Sequence, residues 1–183
     1  MAAGTSILLI TTENQVTTGI ARLLRSLHDA SLRLASCHPD EIGDYDFGAL
    51  SLVLLDNEMP DGASQAVLTE ITTLPAHPPI LLLSDPTVES MRIMLDALEA
   101  GADDFLPRPS ENLQMDPDVL SSCISEKVFS FTRQPVFPDR SAITKLEGKK
   151  IKTVPGTISI IALGLGTGGT KAIMSIVPQL PKR

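Results

Sequence analysis

Apolar positions along this chain follow two alternating patterns. Short apolar runs, ILLI at 7–10, LVLL within LSLVLLD at 50–56 and ILLL within PILLLS at 79–84, are separated by stretches in which apolar residues recur every three or four positions. Runs of that length without polar interruption predict strands buried on both faces of a parallel sheet. LRLAS at 32–36 alternates and predicts another strand, and DFLP at 104–107 a last short one. Val16, Ile20, Leu23, Leu24 and Leu27 mark one face of an amphipathic helix. Pro39, Gly43 and Gly48 leave room only for a short helix in 39–49. MPDG at 59–62 predicts a turn, and Val67, Leu68, Ile71 and Leu74 the helix after it. Val88, Met91, Met94, Leu95 and Leu98 mark another, closed by Gly101, and its methionines are expected in the core. Val119, Cys123, Ile124, Val128 and Phe129 mark a final helix over 116–131, with Pro117 suited to its first turn.

Five strands alternating with five helices call for a parallel sheet covered on both faces. With right-handed crossovers the expected fold class is α/β, a flavodoxin-like doubly wound five-stranded sheet. In such a sheet the functional site lies at the carboxyl ends of the strands. The residues found there are Thr11 and Thr12, Asp56, Ser84 and Arg108.

Composition narrows the function. Hydrophobic residues make up 43% of the 183, enough for a sizeable core, and the formal net charge is −7. An acidic chain argues against a nucleic-acid or anionic-membrane binder, since both require clustered cations. The start, MAAGTSILLITTENQ, has neither a basic segment nor an apolar run of signal-peptide length. Cys37 and Cys123 are too few for a disulfide framework and fit a reducing cytosol. His28, His38 and His77 have no ligand-type spacing. The expected location is the cytoplasm.

A carboxylate at a strand end can attack a phosphoryl donor. It then needs a divalent cation to offset charge, plus a hydroxyl and a fixed cation to hold the product oxygens. LVLLDNEMPDG (52–62), ILLLSDP (80–86) and GADDFLPRP (101–109) supply the carboxylate, the hydroxyl and the cation, each at its strand end. Over roughly residues 5–131 this arrangement resembles the receiver domain of bacterial two-component response regulators. The resemblance implies that Asp56 is the phosphoacceptor, that Ser84 and Arg108 support the phosphoryl group, and that Phe105 is the aromatic switch residue. It also implies partners: a histidine kinase or chemotaxis signalling proteins. Because three strand ends agree, this reading is favoured over one in which Asp56 only caps the turn before Pro60.

The chain departs from that family where the metal should sit. Thr11 and Thr12 stand in place of the acidic pair, and Glu13 comes one residue late. Arg108 replaces a lysine, and an arginine can pair bidentately with Asp56. No cofactor is therefore expected, with weak Mg²⁺ at Asp56 and Glu58 at most, and the receiver is read as degenerate.

The C-terminal region adds a second resemblance. Gly164, Gly166 and Gly169 form G-x-G-x-x-G, but no acid follows to hold a ribose, so a small-molecule module using the Gly164–Gly169 turn is a minority reading. EKV (126–128), a proline-containing linker, IIALGLGTGGTKAI and PQLP together resemble a chemotaxis protein-glutamate methylesterase, a receiver joined to a serine-hydrolase domain. Gly166 occupies the position of that family's nucleophilic serine, and a glycine cannot form an acyl-enzyme. No residues follow to supply a base and its orienting acid. The expected division is a receiver domain at 1–131, a linker at 132–156 and a truncated start of a methylesterase-like domain at 157–183, without enzymatic activity. A fragment or inactive relative of the methylesterase is the alternative. Self-association through the apolar 157–177 segment is a further expectation.

Overall fold

A computed structural model describes residues 4–25, 31–109, 113, 115–132 and 169–180. Five strands, β1 (Thr5–Ile10), β2 (Leu32–Cys37), β3 (Leu52–Asp56), β4 (Ile80–Ser84) and β5 (Asp104–Pro107), form one parallel sheet. Its order is β2-β1-β3-β4-β5, the flavodoxin-like order expected from the alternation. Helices α1 (Asn14–Arg25), α2 (Ala63–Thr72), α3 (Val88–Glu99) and α4 (Pro117–Thr132) cover it. The crossover from β2 to β3 contains two short 3₁₀ helices, Pro39–Asp44 and Phe47–Ala49, instead of an α-helix. Proline and glycine punctuation explains the difference, because neither sustains a helix interior. A short helix α5 spans Gly169–Ile176. Most of the expected linker and the first part of the expected methylesterase-like segment, with Gly164 and Gly166, lie outside the described residues.

The unbroken apolar runs are double-sided core, as expected. On β3, Val53 and Leu55 face α2 and α3, whereas Leu52 and Leu54 face α1 and α4; all four are fully buried. Val16, Ile20 and Leu24 of α1 pack with Leu120, Ile124 and Val128 of α4 on one side of the sheet. Val67, Leu68 and Ile71 of α2 pack with Met94 and Leu98 of α3 on the other. Each fully buried side chain of this size contributes roughly 1.5–3 kcal/mol before ordering costs.

Five residues expected on the buried helix faces are exposed. Val88 is 88% exposed, Met91 53%, Val119 56%, Leu95 40% and Leu74 37%. Val88 is the first residue of α3, and Val119 lies one position before the buried Leu120, rotated away from the Leu120–Ile124–Val128 stripe. Spacing locates a helical face but does not fix which of two adjacent apolar residues points inward.

The turn after α3 needs a glycine. Gly101 has φ +125°, and a Cβ there would stand 2.8 Å from Thr72 Cγ2. Gly101→Ala is expected to cost about 1–3 kcal/mol, read as a lower urea midpoint at unchanged slope. Burial raises the Cys37 thiol to about 11, with the nearby charge of Glu41 adding to the effect, consistent with a small core residue.

Candidate functional site

Asp56 ends the central strand and has no exposed surface. Its position follows from the pattern: four apolar residues of β3 are clamped in the sheet, so the next residue emerges at the carboxyl edge. Strand β5 is two strands away across β4, on the order of 10 Å, and only a long side chain bridges that gap. Arg108, directly after β5, does so. Its Nε donates to Asp56 Oδ1 at 2.8 Å and its Nη2 to Oδ2 at 3.2 Å, the bidentate pair expected from the sequence. Its backbone N–H donates to the Ser84 carbonyl at 3.0 Å, which fixes the base of the arm.

The remaining acceptor positions of Asp56 are also filled. Thr11 Oγ1, after β1, donates to Oδ2 at 2.7 Å, and the Glu58 amide donates to Oδ1 at 3.1 Å. A carboxylate has about four lone-pair sites, and four donors meet this one. Glu13 Oε2 lies 2.9 Å from Arg108 Nη2, so the late acid engages the guanidinium from the other side. Thr11 Oγ1 in turn accepts from the Glu13 amide at 3.1 Å. Arg108 is itself buried, its side chain 6% exposed. Burial alone would lower the guanidinium pKa, but the hydrogen bonds and charges of Asp56 and Glu13 hold it above its usual value. Thr12 is half-buried.

Ser84 ends β4 beside this group. Its hydroxyl donates to Glu58 Oε1 at 3.2 Å, and the Asp85 amide donates to the same oxygen at 3.1 Å. Next to Asp56, Asn57 Oδ1 accepts from Ser64 Oγ at 3.4 Å, while Asn57 Nδ2 is the one buried side-chain polar atom without a partner among the described residues. Phe105, on β5, is half-buried. Lys127 of α4 holds it: the ammonium stands 4.6 Å from the ring centroid, donates to the Phe105 carbonyl and pairs with Asp104 Oδ1 at 2.9 Å.

The structure thus brings Thr11, Asp56, Ser84 and Arg108 to one edge, with Phe105 on the neighbouring strand. It does not make Glu13 a partner of Asp56. The contact of Glu58 with Ser84 and the contacts of Lys127 with Phe105 and Asp104 were not foreseen from the sequence. The latter left a signal, since 127 is seven residues after Leu120 and so falls on the buried stripe of α4. Glu58 left none, because nothing in the chain order relates it to residues 84 and 85.

Residues 7–117 match the family model of the response regulator receiver domain. The chain belongs to that family. The flavodoxin-like sheet is therefore that of a receiver of the two-component and chemotaxis class. Among curated proteins, it is 30% identical over 135 residues to a protein-glutamate methylesterase/protein-glutamine glutaminase of Halalkalibacterium halodurans, covering 73% of this chain and 38% of that protein. It is 31% identical over 157 residues to a Pseudomonas aeruginosa protein of the same description, covering 84% of this chain and 44% of the other. The chain therefore spans less than half the length of these relatives. The crystal structure of the response regulator domain of Thermotoga maritima CheB superposes with a TM-score of 0.55 at 16% identity, covering 72% of this chain and 98% of that one. That likeness concerns the fold. Among the described residues, no helix is long and apolar enough to cross a membrane, and no group of three or more His, Cys, Asp or Glu is placed to hold a metal ion.

Proposed function

We propose that this chain is a degenerate receiver that signals by binding partner proteins and does not accept a phosphoryl group at Asp56 at an appreciable rate. The observation that carries the reading is the four-donor enclosure of Asp56 by Arg108, Thr11 and the Glu58 amide. An attacking carboxylate must expose an oxygen lone pair to phosphorus, and both oxygens here are bonded and buried. The residues do not fit Mg²⁺ either. That ion wants a near-octahedral set of oxygens including carboxylates, whereas a guanidinium lies against Asp56 and threonines replace the acidic pair. Arg108 supplies the positive charge that a metal would otherwise bring.

Partners of the kind receivers meet, a histidine kinase or chemotaxis signalling proteins, fit this reading, with cytoplasmic residence. The methylesterase relatives favour a related second reading: the chain is the receiver part, or an inactive relative, of such a protein. The Pseudomonas alignment reaches 84% of the chain, beyond the part matched by the receiver model. With Gly166 in the serine position, ester hydrolysis is not expected under either reading.

Acetyl phosphate with Mg²⁺ tests the proposal. Intact-mass analysis is expected to show no phosphorylated species, and an Asp56→Asn control should look the same. Near-complete modification that disappears in Asp56→Asn would refute the reading.

A further inference from the structure

Glu58 sits between two sets of contacts. Its backbone N–H belongs to the Asp56 enclosure, but its carboxylate points to β4, where Oε1 accepts from both Ser84 Oγ at 3.2 Å and Asp85 N at 3.1 Å. A strand-end hydroxyl and the next backbone amide converging on one point form a small oxyanion site, since both donors are set by the sheet and aimed at the same place. Here the oxygen they meet belongs to the chain itself. Ser84 is 6% exposed, so water is a poor substitute partner for its hydroxyl.

We propose that Glu58 is a resident anion, whose carboxylate permanently fills the oxyanion site of Ser84 and Asp85 and so holds the turn between β4 and α3 in one arrangement. The consequence reaches the surface. Thr87, two residues beyond Asp85, caps α3 by accepting from the Ser90 amide at 3.1 Å. Asp85, Pro86 and Thr87 line an apolar cleft of about 490 Å³ together with Met91, Met94 and Phe105. The turn that Glu58 anchors therefore sets the start of α3 and contributes lining to that cleft. Other receivers would take a phosphate oxygen at a strand-end hydroxyl; this chain supplies a carboxylate oxygen from two residues past Asp56. The inference goes beyond the proposed function, because it concerns Ser84 and Asp85 and stands whether or not Asp56 is modified.

Amide hydrogen exchange on the full chain tests it, with Glu58→Ala and Glu58→Gln beside the wild type. In Glu58→Ala the Asp85 amide is expected to exchange about tenfold to a hundredfold faster, the range for loss of a charge-assisted bond, while amides within β3 keep their protection. Glu58→Gln keeps an acceptor oxygen without the charge and should fall between. Sodium acetate added to Glu58→Ala should restore protection at Asp85 relative to sodium chloride of equal ionic strength, and should do nothing to the wild type. Exchange at Asp85 within twofold of wild type in Glu58→Ala would overturn the proposal, as would faster exchange that acetate does not reverse. If Glu58→Ala does not fold, Glu58→Gln decides: faster exchange at Asp85 supports the anchor, and unchanged exchange overturns it.

Discussion

Arg108→Ala is expected to be the most destabilising single change at the strand-end site, costing about 3–5 kcal/mol. The cost lies less in the lost attraction than in what remains. Asp56 has no exposed surface, and without the guanidinium its charge would stay buried with only Thr11 Oγ1 and the Glu58 amide as donors. Glu13 would lose its ion pair as well, but it is half exposed and water can replace that contact at little expense. The effect should therefore belong mainly to the Asp56–Arg108 pair. Urea unfolding of Arg108→Ala, Asp56→Asn and the double variant separates the contributions. The double variant should be more stable than the sum of the single losses implies, by roughly 0.5–3 kcal/mol, because removing the charge on Asp56 removes the reason for the penalty. Arg108→Lys should not restore the wild type, since an ammonium cannot make two parallel bonds to a carboxylate. Strict additivity of the two single variants would show that the pair is a bystander.

How much of this was legible beforehand depends on whether a feature belongs to the chain order or to three-dimensional aim. The five strands were legible because unbroken apolar runs such as LVLL at 52–55 have few alternatives once glycine and proline bound them. The carboxyl edge followed from the parallel sheet, and with it Thr11, Asp56, Ser84 and Arg108. The Asp56–Arg108 pair was legible once the receiver resemblance set Arg108 in the place of the family's lysine, because an arginine after the last strand and an acid ending the central one are complementary in charge and shape. The roles of Glu13 and Glu58 were not. Both acids lie within three residues of a strand end, and which way such a side chain turns depends on the local turn geometry. Glu13 turns to Arg108, and Glu58 turns to Ser84. Met91 and Val119 were misplaced for a similar reason: helical spacing carries a phase uncertainty of one residue, enough to move a side chain about 100° around the axis.

The second large effect concerns Thr11 and Thr12. Thr11 Oγ1 is a donor to Asp56 at 2.7 Å, so Thr11→Asp/Thr12→Asp exchanges a bond for a repulsion. Two carboxylates about 4 Å apart repel by on the order of 4 kcal/mol at an effective dielectric near 20, partly offset here by Arg108. Without a divalent cation the double variant should therefore unfold at lower temperature than the wild type. Added Mg²⁺ should recover much of the loss, because a cation that binds only the folded form stabilises it by about 2.7 kcal/mol at a hundred times its dissociation constant. The wild type should show no Mg²⁺ response beyond that of sodium chloride at matched ionic strength, since its Asp56 oxygens are taken and its neighbours are hydroxyls. Thermal unfolding of both proteins across a MgCl₂ series measures this directly. A rise in the wild-type midpoint as large as that of the double variant would mean that the native site holds the cation after all, and that the Asp56–Arg108 pair opens to admit it.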